Sequence, residues 1–244
     1  MGMGIFLLLI LLGLVIGSFV GVVTYRIPRN LGFVKGRSFC DLCKKDLSWY
    51  DNIPIISFLY YHGRSRCCNK KISIRYPLIE LFFALGAVVL YYLFSFSLFP
   101  ITYFLFTILL AILVIDLENQ IIPDELSWAL MLYAICFMPY GLELTPYSFL
   151  FSGFFFSSLL LTLYLSTSGH GMGLGDVKLA IPLGFILGFE KGIYWLMISF
   201  ILGGIIATVL LLFKIAHLKT KIAFGPFLIV AFWIVLIYEK IYPF

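Results

Sequence analysis

The chain has 244 residues, of which 62% are hydrophobic and 12% charged. Soluble globular domains run nearer roughly 45–50% apolar and about 25% charged, so a large water-soluble core is excluded. The net charge of +5 is gathered in one polar loop, which suits anionic lipid and speaks against a nucleic-acid partner so close to a bilayer. Apolar runs near the roughly 20 residues needed to cross a bilayer recur along the chain. They do not alternate apolar and polar as barrel strands do. The fold class is therefore an all-α polytopic membrane protein with about eight transmembrane helices.

The first predicted element, Ile5–Tyr25, has no basic start and no A-x-A-like cleavage site after it, so it reads as a mature first span rather than a signal peptide. Gly13, Gly17 and Gly21 recur every four residues on one face, a pattern for close helix packing. A polar stretch follows, giving a first domain at 1–25, a loop domain at 26–76 and a membrane domain at 77–244. Between Arg26 and Arg75 lie eleven Lys/Arg and three Asp, a net +8. The positive-inside rule makes this loop cytoplasmic and the N-terminus external.

The further spans are Pro77–Phe99, Pro100–Ile115, Leu126–Leu142, Tyr147–Ser166, Leu179–Phe189, Ile193–Phe213 and Ile222–Ile237. Alternation then places fifteen of the 17 Lys/Arg inside, with only Lys191 and Lys240 outside. Leu179–Phe189 is short and holds Pro182, Gly184 and Gly188. A re-entrant segment, or a helix begun back in the glycine run, is the alternative; parity favours a crossing.

Two acids stand out. Asp116 ends the apolar run "FLFTILLAILVID", and Asp176 follows "GMGLG". The topology puts both at the inner membrane face, and ionisable groups at membrane depth usually mark function. Gly173 and Gly175 permit close backbone approach and unusual dihedrals beside Asp176. Two neighbouring carboxylates do not both ionise cheaply, so one acts as acid while the other activates water as base. Lys178 and His170 lie near enough in sequence to tune Asp176. Asp124 follows Pro123 and opens "DELSWAL", a helix start with first-turn carboxylates. Glu118 and Glu125 share that loop.

Four of the five cysteines, Cys40, Cys43, Cys67 and Cys68, sit in the first loop; Cys136 lies in a span. A reducing cytoplasmic loop disfavours disulfides. C-x-x-C at 40–43 is half of a tetrahedral zinc site, with Cys67 and Cys68, or His62, to complete it.

The motifs "GSFVGVVTYRIP", "DNIPIISFL", "SIRYPLIE", "VIDLENQIIPDELS" and "GMGLGDVKLA" occur in that order and together resemble the type IV prepilin peptidases, GxGD-type membrane aspartic proteases. The resemblance implies cleavage of a short basic leader from prepilins or pseudopilins of type IV pilus and type II secretion systems. The cut falls after a glycine at the cytoplasmic face of a prokaryotic plasma membrane. Asp116 and Asp176 match the catalytic pair; Gly173, Gly175, Lys178, Asp124 and Glu80 match supporting motif positions. Many members also N-methylate the new N-terminus with S-adenosylmethionine, and the first loop is associated with that activity. Here Ser65 stands where the family's second C-x-x-C block begins, which bears on zinc and on methyl transfer more than on cleavage. No soluble-type glycine-rich nucleotide fingerprint is present to locate a site for the methyl donor.

The alternatives are a peptidase without methyl transfer, a proton-coupled carrier, and a non-enzymatic scaffold. A carrier places its acids near the midplane with inverted repeats, and neither feature is seen. No G-x-S-x-G elbow or H-E-x-x-H motif occurs.

Overall fold

The structure is a computed structural model that describes residues 3–32, 38–40, 43–137, 146–169, 171–214 and 222–241, without the side chains of 146–149. Eight α-helices occur among these residues: α1 Met3–Arg26, α2 Ile56–Tyr60, α3 Arg75–Leu93, α4 Phe99–Asn119, α5 Asp124–Phe137, α6 Pro146–Ser166, α7 Leu174–Leu212 and α8 Gly225–Ile241. The described residues show no strand, only the isolated bridges Phe39–Asp46 and Arg64–Lys71. Among the described residues, four helices are long and apolar enough to cross a membrane: Met3–Arg29, Arg75–Leu93, Phe99–Asn119 and Leu174–Leu212. The chain divides into two compact units, Met1–Thr107 and Ile108–Phe244.

In the first unit the glycine stripe of α1 meets α3 head to tail. A Cβ on Gly13 would collide with the backbone of Ala84. One on Gly17 would lie 2.7 Å from Glu80 Cα, and one on Gly21 would lie 3.3 Å from the Tyr76 ring. Positions rising by four on α1 face positions falling by four on α3, an antiparallel pair whose backbones touch because the side chains are missing. Arg75 Nη2 donates to Thr24 Oγ1 at 2.8 Å where the polar loop leaves and returns. The helix expected over Pro77–Phe99 runs from Arg75 to Leu93, and α4 begins at Phe99 with Pro100 in its first turn, where no amide hydrogen is needed.

The second unit is a pack of helices joined by hydroxyl-to-carbonyl bonds and glycine contacts. Ser157 Oγ donates to Val177 O at 3.0 Å and Ser152 Oγ to Gly184 O at 2.8 Å, which sets α6 antiparallel to the start of α7. A Cβ on Gly184 would lie 2.8 Å from Gly153 Cα. The α7 element is not straight. Gly188 has φ 74° and ψ −176°, a region open essentially to glycine alone. A straight helix would place Gly203, 27 positions beyond Asp176, about 40 Å from it. Instead a Cβ on Gly203 would lie 3.4 Å from the Phe227 ring, while Gly225 faces Asp176. The chain therefore folds back at Gly188 into two arms, 174–187 and 189–212. The helix begins at Leu174, back in the glycine run, rather than at Leu179, and it breaks at Gly188, ahead of the 190–192 gap between the two expected spans. Trp195 Nε1 donates to Leu228 O at 2.8 Å, tying the second arm to α8. Lys191 and Glu239 form an ion pair between the same two elements.

Candidate active site

Three helix ends meet in the second unit. Asp116 stands in the last turn of α4, 4% exposed, and Asp176 in the first turn of α7, 5% exposed. They lie close enough for the charge of Asp116 to act on Asp176, and the backbone amide of Gly225, first residue of α8, faces both. The N-terminal ends of α7 and α8 carry partial positive charge and favour an anion here.

Each carboxylate is held differently. Asp176 Oδ2 accepts the Gly173 N–H at 3.1 Å, and the Asp176 N–H returns a bond to Gly173 O at 3.2 Å. This reciprocal cap fixes its rotamer. Asp116 Oδ2 is buried and has no hydrogen-bond partner among the described residues. A buried polar oxygen left without a donor is costly and calls for an explanation, of which a catalytic role is one. A Cβ on Gly225 would sit 2.5 Å from this oxygen.

Of the two properties expected of the glycines before Asp176, close approach is seen at Gly175 and unusual dihedrals are not. Neither Gly171, Gly173 nor Gly175 has a positive φ. Gly173 is extended at φ −85°, a conformation any residue adopts. Gly175 is needed for space: a Cβ there would lie 2.9 Å from Ile122 Cβ. Ile122 also comes within 3.2 Å of the corresponding position on Gly225. One isoleucine thus wedges against two glycines and sets the spacing of the helix ends that carry the acids. Sequence reasoning missed Gly225 and Ile122. The signal available was "FGPF", a glycine–proline helix start facing a polar group across the fold.

Lys178 turns to Asp124. Its Nζ pairs with Asp124 Oδ1 at 2.6 Å, and both side chains are more than half exposed. The expected helix start at Asp124 is present, with Asp124 and Glu125 in the first turn of α5. Glu80 belongs to the first unit, where Oε2 accepts the Ile55 N–H at 2.8 Å. That bond holds a β-branched residue at φ 57°, a strained conformation. His170 and His217 lie outside the described residues.

The loop cysteines gather. Cys40, Cys43, Cys67 and Cys68 place their sulfurs within 4.8 Å of one another, without His62. Two turns build this cluster, and each hydrogen bond of the first recurs 25 residues later. Cys40 N donates to Lys45 O and Lys44 N to Cys40 O; Ser65 N donates to Lys70 O and Asn69 N to Ser65 O. Leu47 N–Ser38 O matches Ile72 N–Gly63 O, and Lys44 and Asn69 share a positive φ. Ser65 therefore occupies the place of Cys40 in the second turn, and Cys67 supplies a fourth thiol from a place with no cysteine in the first. Ser65 Oγ lies 3.3 Å from Cys40 Sγ and 3.1 Å from Cys67 Sγ. The spacing and the all-sulfur donor set fit a tetrahedral soft-ligand ion such as zinc. The hydrogen bond with the Cys67 thiol beside it pushes the Cys43 thiol up to about 12.

Comparison with known proteins joins these parts. Residues 11–94 match the bacterial peptidase A24 N-terminal domain, and residues 103–208 match the type IV leader peptidase family. A protein of Vibrio cholerae named prepilin leader peptidase/N-methyltransferase is 31% identical over 92% of this chain and 93% of its own length. Its namesake in Pseudomonas aeruginosa is 31% identical over 94% of this chain and 89% of its own length. A third, in Klebsiella pneumoniae, is 34% identical over 75% and 85%. No solved structure matches. Asp116 and Asp176 both fall inside the segment matched as peptidase, and the likeness runs through nearly the whole sequence: the chain belongs to the type IV leader peptidase family.

Proposed function

We propose that this enzyme cuts the leader from prepilin-like proteins with Asp116 and Asp176, and then methylates the N-terminus that the cut exposes. The observation that carries the first activity is the buried meeting of the two carboxylates beside the Gly225 amide. One carboxylate takes a proton from water as its oxygen attacks the scissile carbonyl carbon. The other donates a proton to the carbonyl oxygen. Collapse of the tetrahedral centre breaks the C–N bond, and the amine leaves with the proton first taken from water. Asp176, held by Gly173, is the more rigid partner. Asp116, with its unpartnered oxygen, has an acceptor to spare for water or substrate.

The names of the relatives support the second activity. S-adenosylmethionine, when bound, would supply an electrophilic methyl group for the neutral α-amine. The four thiols hold a structural zinc that organises a loop with little apolar core of its own. The first loop is cytoplasmic, the N-terminus external and the chain crosses the plasma membrane about eight times; charge bias supports this orientation. Anionic lipid offsets the loop's charge toward a basic leader.

The test is a substrate with a basic leader, a glycine and a Phe-led apolar helix, incubated in detergent with the wild type, Asp116→Asn and Asp176→Asn. Mass spectrometry is expected to show cleavage after the glycine by wild type alone. Cleavage surviving in either variant rejects the two-carboxylate mechanism.

A further inference from the structure

The polar loop of the first unit carries its charge unevenly. Its basic residues stop at Lys45 and resume at Arg64, and Leu47–Gly63 between them contains no Lys, Arg or Glu. The single Asp of that stretch, Asp51, has a side chain 8% exposed, held by the Ser48 N–H at 2.9 Å and paired with Arg66 at 3.4 Å. What the stretch exposes instead is apolar and aromatic: Trp49 at 79%, Ile56 at 62%, Leu59 at 66% and Tyr60 at 75%. Ile56, Leu59 and Tyr60 fall at i, i+3 and i+4 and so share one face of α2. Trp49 stands in the 3-10 turn Trp49–Asn52, which packs beside α2. A grouped apolar surface of this kind marks contact with a membrane or a partner.

Hydrogen bonds set its depth. The level at which the loop leaves and rejoins the helices is marked by Thr24 and Arg75, joined at 2.8 Å. Ser18 Oγ, further back along α1, donates to Asn52 O at 3.5 Å. Glu80 Oε2, further on along α3, accepts the Ile55 N–H at 2.8 Å. At about 1.5 Å per residue these two contacts lie roughly 7–9 Å deeper along the helices than Thr24 and Arg75. The loop therefore dips back along its own two helices, and the part that dips is the part without exposed charge. Interfacial segments bury an apolar face by about 5–10 Å at the headgroup boundary, and Trp and Tyr are enriched there. To either side Lys44, Lys45, Arg64, Lys70 and Lys71 are exposed, and positive charge so placed suits anionic headgroups.

Resting on the reading above of α1 and α3 as spans joined by a cytoplasmic loop, we infer that Trp49 and the Ile56, Leu59 and Tyr60 face of α2 are immersed in the adjoining lipid leaflet. The occupant of this face is the lipid surface, because the face is tethered between two spans at leaflet depth and flanked by positive charge. The first loop is then bound to the membrane through its middle as well as through its ends.

The experiment uses the full chain in nanodiscs of phosphatidylethanolamine and phosphatidylglycerol, with or without brominated acyl chains, which quench tryptophan on contact. The emission of wild type less that of Trp49→Phe isolates Trp49. In the Trp49→Phe background, Ile56→Trp and Leu59→Trp report on α2, and Lys70→Trp on the charged part of the loop. Val15→Trp and Phe82→Trp, at exposed positions of α1 and α3, report on the spans. Brominated lipid is expected to remove at least about half of the emission of Trp49, Ile56→Trp and Leu59→Trp, and iodide in the buffer less than about a tenth. Lys70→Trp is expected to show the reverse. Quenching of the first three by iodide and not by bromine, or by neither because protein covers them, overturns the inference; bromine quenching at Val15→Trp and Phe82→Trp then leaves the spans standing. Bromine quenching at none of the five positions overturns the span reading and the inference with it.

Discussion

Each unit buries a pair of carboxylates, and the two pairs are held in different ways. In the first unit Asp51 and Glu80 are each tied to a backbone amide of the loop and open into one cavity. In the second, Asp116 and Asp176 act on each other at the meeting of three helix ends. Acids anchored separately satisfy the backbone amides that they cap. Acids that face each other share protons and handle water. Burial alone does not separate these uses, since all four are less than a tenth exposed; the partner of each oxygen does.

The comparison breaks most sharply at the dyad. Asp116→Asn and Asp176→Asn are each expected to lower the rate of leader cleavage by about 1,000-fold or more, read by product mass over time. Next comes Gly225→Ala, whose methyl group would fall 2.5 Å from Asp116 Oδ2. Displacing that carboxylate should cost about 100-fold in kcat, with a smaller change in KM. If cleavage by this variant stays near wild type, α8 does not shape the pair. For the thiols, purified protein should carry about one zinc, lost in Cys68→Ser together with thermal stability. The smallest effect is expected for Lys178→Ala. An ion pair this exposed contributes less than about 0.5 kcal/mol, so the melting temperature should hardly move.

Much of this was legible in the sequence, and the reason is physical. An apolar helix can approach another closely only where side chains are small, so Gly13, Gly17 and Gly21 announced their face before α3 was known to fill it. Asp116 and Asp176 stood out because charge among apolar residues is expensive. Gly225 did not stand out. A glycine before a proline at a helix start has ordinary reasons to exist, and its neighbour Asp116 is remote in sequence. The glycines near Asp176 were legible as a motif and as a place of close approach, but Ile122, the side chain that Gly175 clears, was not. The repeated cysteine turns were hidden too. Their likeness lies in hydrogen bonds offset by 25 residues, while the side chains at Cys40 and Ser65 differ.

Gly188 carries a consequence for how this gene can change length. Its turn is made by one residue, so the two arms share no slack. One residue added there rotates the second arm by about 100° about its own axis. Trp195 would swing away from Leu228 O and Gly203 from Phe227. Insertions that a surface loop absorbs with little effect are therefore barred here. A single alanine inserted after Gly188 should abolish cleavage, whereas one inserted after Gly32, where a Cβ would meet open space, should be tolerated. The bend acts as a ruler, and drift in its length is closed to this chain.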